Sequence, residues 1–384
     1  MADAVNKKIA VIRSTYSPFG GAETLTLDLI HAILKTSCHV HLLTARGQKW
    51  PLEDKLLTTV FLPVTSKQRL LEAWSFEKAV GQYLRSNQFD IVFSIDRVTS
   101  YTHLHAGGGT HKAFLATKDR VSSLPERIFR KTSLFHRYVL QLERKGFQNP
   151  ILRKIHCCSQ MVANDIRKDY NMPVGKLQVI YNGIRWEDIG EIYNRRRENA
   201  DRIGREENLD PHPRWLLFLG SGYRRKGLDI AIQGLSALPE SYRLLIVGSG
   251  KEAPVRRQAD RLGLGDRIRI LGPRPDGWRY AALCCAMVLP SRYEPFGLAA
   301  AEAQGMGLPV LVSDRTGYGE LIEDGVTGIR LPSVSDVNRV HEAFRNLARL
   351  VENPAVSSGE IRHRIRHLDN RIIQDRMIHE FLEL

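Results

Sequence analysis

Two glutamates, Glu294 and Glu302, lie on either side of a Pro-Phe-Gly turn in the second half of the chain. An apolar run precedes Glu294, and a helix-forming run carries Glu302. Amides at a helix N-terminus lack intrahelical partners and attract phosphate, and here they would belong to Phe296, Gly297 and Leu298. Carboxylates on both sides of a phosphate suit a ligand with hydroxyl groups on both sides, as in a nucleotide sugar. The alternative is an ordinary strand-loop-helix connection with solvated acids.

A second stretch, residues 220–227, reads Gly-Ser-Gly-Tyr-Arg-Arg-Lys-Gly and stands between a predicted strand and a predicted helix. Gly220 and Gly222 would let the backbone approach a ligand closely, and Arg225 and Lys226 would donate to a diphosphate. The Gly-Lys-Ser/Thr ending of a Walker loop is absent. Taken alone, this stretch could also be a solvated basic turn. Considered together with the two glutamates, the stretch favours a nucleotide-sugar site.

A third stretch, residues 103–111, interleaves three histidines with three glycines, a poor composition for the core of a strand or helix. We therefore expect a functional loop that presents His103, His105 and His111. Metal binding by these histidines is disfavoured because no nearby Asp, Glu or Cys completes a ligand set. The alternation of His103 and His105 also fits the end of a strand.

Strands alternate with helices in both halves of the chain, which indicates parallel, doubly wound sheets. The first strand enters a turn that ends in Gly20-Gly21, where glycines allow a close backbone approach to a ligand, or serve packing alone. The 384 residues thus predict an α/β protein with two Rossmann-like domains. Because ligands lie at the carboxyl ends of such strands, two facing domains would bring the stretches described above into one cleft.

The domain boundaries follow from turns and charge density. The predicted parts are a first domain at 1–181, a connection at 182–213, a second domain at 214–360 and a C-terminal helix at 361–384. The connection is placed where the sequence is charge-dense and poor in apolar residues. We expect the C-terminal helix to pack back towards the first domain.

Positive charge is concentrated in the first half. The formal net charge is +14, and residues 1–181 hold 26 Lys and Arg against 14 Asp and Glu. The excess is densest in the region Lys112–Lys154, with 11 basic and 3 acidic residues and apolar positions at helical spacing. A basic amphipathic helix pair there predicts an anionic partner, either a phospholipid surface or nucleic acid, with a solvated charged face as the alternative. Nucleic acid is disfavoured because no zinc-finger, helix-turn-helix or RNP signature accompanies the charge.

The five cysteines, an odd number without a C-x-x-C pair, predict reduced thiols in a cytosolic protein. The chain runs into its first strand without a signal peptide, and no stretch of about 18 apolar residues is present to span a membrane. We therefore expect a cytoplasmic protein, attached peripherally to the inner membrane if the basic region meets lipid.

With these motifs in place, the chain resembles the retaining glycosyltransferases of family 4, which have the GT-B fold, and within them the lipopolysaccharide core glucosyltransferases. The resemblance extends over nearly the whole chain, and the motifs that carry it are Ser17–Gly21, Asn182-Gly183, Arg225–Gly227, Glu294–Glu302 and Gly305–Val310. The resemblance to the core enzymes rests further on Phe19–Gly21, Gly220–Gly227, Leu142–Arg144 and Asn149-Pro150. It implies transfer of a hexose, glucose from UDP-glucose, to an inner-core heptose of lipopolysaccharide, or the same chemistry on another glycan or glycolipid.

The resemblance also implies roles for the site residues. Arg225 and Lys226 would hold the diphosphate and stabilise the leaving UDP, and Glu294 would bind hydroxyls of the donor sugar. Glu302 would bind the ribose, and Gly20-Gly21 would meet the phosphate and sugar, as would the amides of residues 296–298. No metal or other cofactor is implied, in keeping with the absence of an Asp-x-Asp motif.

One departure concerns the acceptor loop, where the core glucosyltransferases tend to carry an Asp and this chain has Gly107-Gly108-Gly109. The resemblance then assigns contact with donor or acceptor to His105 or His111.

Overall fold

The computed structural model describes residues 7–16, 21–66, 68–120 and 122–382. The chain forms two compact units. Unit 1 comprises Met1–Tyr181 and Ile373–Leu384, and unit 2 comprises Asn182–Ile372. Gly20 lies outside the described residues, and Gly21 is the first residue of a helix.

Unit 1 is built on a seven-stranded sheet in which all strand pairs are parallel. Its spatial order is β3-β2-β1-β4-β5-β6-β7. The strands are β1 (Lys8–Ile12), β2 (His39–Ala45), β3 (Leu57–Leu62), β4 (Ile91–Ser94), β5 (His103–His105), β6 (Lys154–Cys157) and β7 (Leu177–Val179). Strand β1 is central and its apolar residues are buried, as expected for a parallel strand covered on both faces.

Helices connect these strands. They are α1 (Gly21–Leu34), α2 (Arg69–Ser86), α3 (His111–Arg120), α4 (Leu124–Thr132), α5 (Leu134–Phe147) and α6 (Gln160–Tyr170), with a 3₁₀ turn at Val174–Lys176. The predicted helix pair in the basic region is wrong in number, since three helices, α3 to α5, lie there. Helix α4 begins at a capping box formed by Ser123 and Glu126, and Ser133 caps the N-terminus of α5.

Unit 2 contains a six-stranded parallel sheet with the order β10-β9-β8-β11-β12-β13. Its strands are β8 (Arg214–Leu219), β9 (Tyr242–Val247), β10 (Ile268–Gly272), β11 (Ala286–Leu289), β12 (Val310–Ser313) and β13 (Gly328–Leu331). In each unit the chain order reverses once, between β1 and β4 and between β8 and β11. Open α/β sheets bind ligands outside the carboxyl ends of the strands at this switch point.

The α-helices from residue 186 onward are α7 (Trp186–Asn194), α8 (Arg196–Glu206), α9 (Tyr223–Lys226), α10 (Leu228–Leu235), α11 (Glu252–Arg261), α12 (Leu298–Gly305), α13 (Val337–Glu352), α14 (Ser358–Arg364) and α15 (Asn370–Leu382). Shorter 3₁₀ segments lie at Gly265–Arg267, Gly277–Ala282, Gly317–Leu321 and Arg366–Leu368. Helices α7 and α8 lie in the stretch expected to connect the domains, and both belong to unit 2. The tail is helical as predicted.

Helix α15 crosses the boundary between the two units in the chain. Its later part belongs to unit 1, where Arg376 donates to the carbonyl oxygen of Val179 at 3.2 Å. Gln178 on β7 donates to Glu380 at 3.2 Å. These bonds attach the C-terminal segment to the edge strand of the unit 1 sheet.

Candidate functional site

The loops that follow β8 and β11 meet at the switch point of unit 2. The first loop contains Gly220 and Gly222, both with positive φ, and leads into the single turn α9 that carries Arg225 and Lys226. A Cβ on Gly220 would lie 2.4 Å from Lys226 Cδ, so glycine is required for the lysine stem to pass over the backbone. The loop therefore sets the direction of the Lys226 side chain.

Glu294, from the loop after β11, pairs with both cations. Its Oε2 lies 2.9 Å from Arg225 Nη1 and 3.1 Å from Lys226 Nζ. The side chains of Lys226 and Glu294 are only 12% and 13% exposed. Two cations and one carboxylate leave one net positive charge in the cluster, which suits an anionic ligand.

The cations also decide the charge state of Glu294. Burial acts to raise the pKa of its carboxyl, but the charges and hydrogen bonds of Lys226 and Arg225 outweigh burial and lower the pKa below its ordinary value. Glu294 is therefore ionised at neutral pH and accepts hydrogen bonds.

An ion pair that sequence reasoning did not predict joins the loop after β11 to the first turn of α10. Arg292 donates to both carboxylate oxygens of Asp229, at 2.8 and 2.7 Å, and to the carbonyl oxygen of Arg224 at 2.6 Å. Its backbone N–H donates to the carbonyl oxygen of Arg225 at 2.9 Å. The two loops are also in close contact at Gly227, because a Cβ there would lie 2.0 Å from the carbonyl oxygen of Pro290.

Helix α12 begins next to Glu294. Gly297 caps it with φ +106°, and within the described residues the N–H groups of Gly297 and Leu298 donate no hydrogen bond. Phe296 packs edge-on against Tyr318, whose N–H donates to the carbonyl oxygen of Phe296 at 2.6 Å. The predicted helix N-terminus is therefore confirmed, with donors available beside the carboxylate of Glu294.

Glu302 lies in the second turn of α12. Burial raises the pKa of its carboxyl to about 7; Arg185 and Lys226 act to lower the pKa, and Asp276 acts to raise it. Arg185 is hydrogen-bonded to Asp276, which follows β10. Sequence reasoning did not identify Arg185 or Asp276, although each follows a strand of a predicted α/β unit.

The three histidines of residues 103–111 do not lie together in a loop. His103 and His105 are in β5, as the strand-end alternative predicted, and His111 begins α3. His103 has no exposed surface, and His105 and His111 are also buried. The ring of His105 packs on Gly107, where a Cβ would lie 2.4 Å from Nε2. The assignment of ligand contacts to these residues stays a prediction.

Burial also determines the charge state of these rings. It lowers the pKa of His103 and His105 to about 4, and that of His111 to about 3, with nearby cations adding to the shift for His103 and His111. His111 Nε2 lies 3.0 Å from His136 Nδ1. The rings are therefore neutral near pH 7. Within the described residues, no three His, Cys, Asp or Glu side chains come together as metal ligands would.

A buried carboxylate, Glu143 on α5, holds the segment between β5 and α3. Its oxygens accept from the backbone N–H of His111 at 2.6 Å, from Arg97 Nε at 3.2 Å and from the Tyr170 hydroxyl. Arg97 Nη2 also donates to the carbonyl oxygen of Gly109 at 3.0 Å. Glu143 therefore caps α3 and indirectly fixes the glycines that precede it. In the sequence, Leu142-Glu143-Arg144 was noted only as part of the resemblance to the core enzymes. The capping role of Glu143 was not predicted.

The basic region of unit 1 has an unusual surface helix. None of the residues of α4, all of which are described, is buried. Leu124 and Phe129 are 69% and 79% exposed, and Ile128 is exposed beside them. Basic residues share the helix, namely Arg127, Arg130 and Lys131. Among the helices described, none is long and apolar enough to cross a membrane.

Comparison with known proteins follows the same division of the chain. The profile described as "Glycosyltransferase Family 4" matches residues 19–187, and the one described as "Glycosyl transferases group 1" matches residues 199–366. The lipopolysaccharide glucosyltransferase WaaG of Escherichia coli (strain K12) is 25% identical over 336 residues, which is 86% of each chain.

Solved structures share the fold. The crystal structure of WaaG, a glycosyltransferase involved in lipopolysaccharide biosynthesis, matches with a TM-score of 0.79 at 21% identity and covers 97% of this chain and 99% of its own. Anabaena Alr3699/HepE in complex with UDP-glucose matches with a TM-score of 0.68 at 16% identity, covering 99% of this chain and 100% of its own. The predicted GT-B fold class, with two parallel-sheet α/β domains and a helical C-terminus, is confirmed.

Proposed function

The chain belongs to the family 4 glycosyltransferases, and from this membership we propose that it is a retaining, metal-independent hexosyltransferase that moves glucose from UDP-glucose to an inner-core heptose of lipopolysaccharide. The observation that carries the proposal is the cluster of Arg225, Lys226 and Glu294 at the switch point of unit 2. The donor and acceptor follow WaaG, a lipopolysaccharide glucosyltransferase, and HepE, whose structure contains UDP-glucose. Another cell-surface glycan or glycolipid is the alternative acceptor.

The cluster suits the charge changes of glycosyl transfer. The bond from the anomeric carbon to the diphosphate oxygen breaks, and a bond to the acceptor oxygen forms on the same face of the sugar. The acceptor proton passes to the leaving diphosphate. Arg225 and Lys226 stabilise the negative charge that grows on that diphosphate, a task for which other enzymes use a divalent metal. The Gly297 and Leu298 amides add donors that need no reorganisation.

The two carboxylates orient the donor. Glu294 is ionised and accepts hydrogen bonds from hydroxyls of the hexose, while its charge keeps Arg225 and Lys226 in place before the donor binds. Glu302, on the next turn of α12, accepts hydrogen bonds from the ribose. Gly297 and Leu298 stand between Glu294 and Glu302 along the chain. This order supports the proposal, because a nucleotide sugar carries its diphosphate between the hexose and the ribose.

The test is a donor screen on the full chain, in which nucleotide sugars are offered singly and both binding and transfer to purified inner-core oligosaccharide are measured. UDP-glucose is expected to bind and react, and Lys226→Ala or Glu294→Gln should lower turnover about 100-fold or more. Arg256→Ala is a matched control, because it breaks an exposed ion pair with Glu252 elsewhere in unit 2. Near-native turnover in both site variants would contradict the proposal.

The exposed face of α4 supports a second part of the proposal, attachment of the enzyme to the cytoplasmic face of the inner membrane. Apolar side chains of a surface helix enter the headgroup boundary, and each nearby Lys or Arg adds roughly 1 kcal/mol at an anionic leaflet. A nucleic acid would leave Leu124, Ile128 and Phe129 without an apolar partner, so lipid suits this face better.

Vesicle co-sedimentation tests the attachment. We expect the protein to sediment with vesicles that contain phosphatidylglycerol and to remain in solution with neutral vesicles. Phe129→Ser should weaken sedimentation, as should charge reversal at Arg127 and Lys131, whereas charge reversal at Lys251, an exposed lysine of unit 2, should not. Sedimentation that is equal in all variants would exclude α4 as the attachment surface.

A further inference from the structure

The helical turn that carries Arg225 and Lys226 is too short to hold its own shape. Helix α9 has four residues, and the residues that flank it, Gly222 and Gly227, both have positive φ. Helices shorter than about 12 residues are marginal in water on their own, because the first turn fixes several backbone dihedral angles for one hydrogen bond. The directions of the two cationic side chains therefore depend on the contacts that α9 makes with the rest of unit 2.

The loop after β11 supplies most of these contacts, through two neighbouring residues. Arg292 Nη1 donates to the carbonyl oxygen of Arg224 at 2.6 Å, and the backbone N–H of Arg292 donates to that of Arg225 at 2.9 Å. The hydroxyl of Ser291 donates to the carbonyl oxygen of Lys226 at 3.5 Å. Three of the four carbonyl groups of α9 are thus bonded to this loop, and two of the three bonds come from Arg292.

Arg292 is itself held in one orientation. Its guanidinium donates to both carboxylate oxygens of Asp229, in the first turn of α10, at 2.8 and 2.7 Å. The side chain of Arg292 is only 14% exposed. A bidentate pair of this kind fixes the plane of the guanidinium, and the carboxylate neutralises its charge. One side chain therefore joins the loop after β11 to both α9 and α10, and its donors are directed at protein groups, so a diphosphate is not its partner.

We propose that Arg292 is a positioning residue for the transfer reaction, which fixes α9 so that Arg225 and Lys226 point at the diphosphate of the donor. This inference rests on the transferase function proposed above. Glu294 lies in the same loop as Arg292, and Arg225 Nη1 donates to the carbonyl oxygen of Tyr293 between them at 3.2 Å. The loop that carries the carboxylate therefore also holds the turn that carries the cations. Their spacing is kept while negative charge grows on the leaving diphosphate.

The kinetics of Arg292→Gln test this role. We expect kcat for transfer from UDP-glucose to fall about tenfold or more, because a catalytic group misplaced by about 1 Å loses much of its effect. The Kd of UDP-glucose should rise less than about threefold, since both cations are still present. Arg292→Lys should lower kcat to a similar extent, because an ammonium keeps the charge but not the planar fork. Arg214→Gln is the matched control: it removes an ion pair with Glu352 at the start of β8, and its kcat should equal that of the native enzyme.

The Lys226→Ala background separates positioning from a merely structural role. Residues that act as a unit have non-additive effects, so Arg292→Gln should lower kcat less than about threefold once the lysine that it positions is gone. A structural role would lower kcat by the same factor in both backgrounds. The melting temperature of each variant is measured alongside, because loss of the Arg292 contacts should lower it equally in the two backgrounds.

Three results would overturn the inference: near-native kcat in Arg292→Gln or Arg292→Lys, a full tenfold loss in the Lys226→Ala background, or a loss of UDP-glucose affinity in place of the loss of kcat. If Arg292→Gln does not fold, Asp229→Asn decides. It weakens the hold on the guanidinium but keeps the shape of the side chain, and it must lower kcat about threefold or more with a Kd within about twofold of the native value. Failure of the transferase assignment is distinguishable, because the native enzyme would then neither bind nor turn over UDP-glucose.

Discussion

If Glu302 binds the ribose of the donor, as proposed, the surroundings of its carboxyl make donor binding depend on pH. Burial raises the pKa of its carboxyl to about 7, and the nearby Arg185 and Lys226 keep the pKa from rising further. The carboxyl is therefore about half ionised at pH 7. Since ionised carboxylates accept stronger hydrogen bonds than neutral ones, binding of a ribose and loss of the Glu302 proton are linked.

The size of the effect follows from the ionised fraction. About one tenth of the Glu302 carboxyl groups are ionised at pH 6 and about nine tenths at pH 8. If the ribose binds only the ionised form, the apparent Kd of UDP-glucose falls about tenfold from pH 6 to pH 8, or about 1.4 kcal/mol in binding free energy. Affinity is thus lost as the pH falls through 7, and binding at pH 7 releases about 0.5 proton.

Isothermal titration calorimetry at pH 6, 7 and 8 measures both quantities, with two buffers of different ionisation enthalpy to count the released protons. UDP-glucose is the suitable ligand because each of its phosphates carries one ester and the shared anhydride oxygen, which leaves one strongly acidic group per phosphate that stays ionised across this range. Glu302→Gln is the control: it should bind more weakly at pH 8 and lose the pH dependence. A native Kd that is constant within about twofold from pH 6 to pH 8 would refute the reasoning, as would a tenfold dependence that persists in the glutamine variant.

Two further predictions concern stability. Burial lowers the pKa of His105 to about 4 and that of His156, on β6, to about 3. The neutral rings therefore contribute to stability at pH values above about 6.5, the pKa of histidine in the unfolded chain, and this contribution is lost as the pH falls towards 4. Urea unfolding should show a cost of about 2 kcal/mol per ring at pH 5 relative to pH 7.5, and equal stability at both pH values would contradict the burial argument. Gly227→Ala should lower the free energy of unfolding by about 2 kcal/mol or more, because φ is +76° and the new Cβ would meet the Pro290 carbonyl oxygen. Gly263→Ala is the control, with φ +66° and no atom within 4 Å, and should cost about 1 kcal/mol; equal costs would show that the Pro290 contact is unimportant.

Much of the fold was predictable because its signals are local. Short apolar runs followed by glycine turns and helical periodicity indicated β8 to β12 and the helices between them within a few residues, whereas β13 was not predicted. The same local signals placed Arg225, Lys226 and Glu294 after strands of one sheet. Once the strands are parallel, their carboxyl ends share an edge, so the convergence of these side chains follows from the pattern alone.

The histidine stretch shows where local signals mislead. Three histidines among glycines suggested a functional loop, yet His103 and His105 belong to a strand that has neighbours on both sides. Burial of an imidazole depends on which strands and helices cover it, and nothing in residues 103–111 carries that information. The number of helices in the basic region was also predicted wrongly. Helix α4 begins at a capping box, and the sequence on both sides of this box has helix-forming character.

The sequence by itself determined the class of the protein, the two α/β units and the residues that stand after the strands of unit 2, because glycine geometry and hydrophobic periodicity act over a few neighbouring positions. Only the tertiary structure decided which charges meet. Arg13 and Asp96 are 83 positions apart, and Arg292 and Asp229 are 63 apart. Their pairing depends on the order of strands in each sheet, which results from packing over the whole unit. The raised pKa of Glu302 has the same origin, since burial by distant segments sets its value.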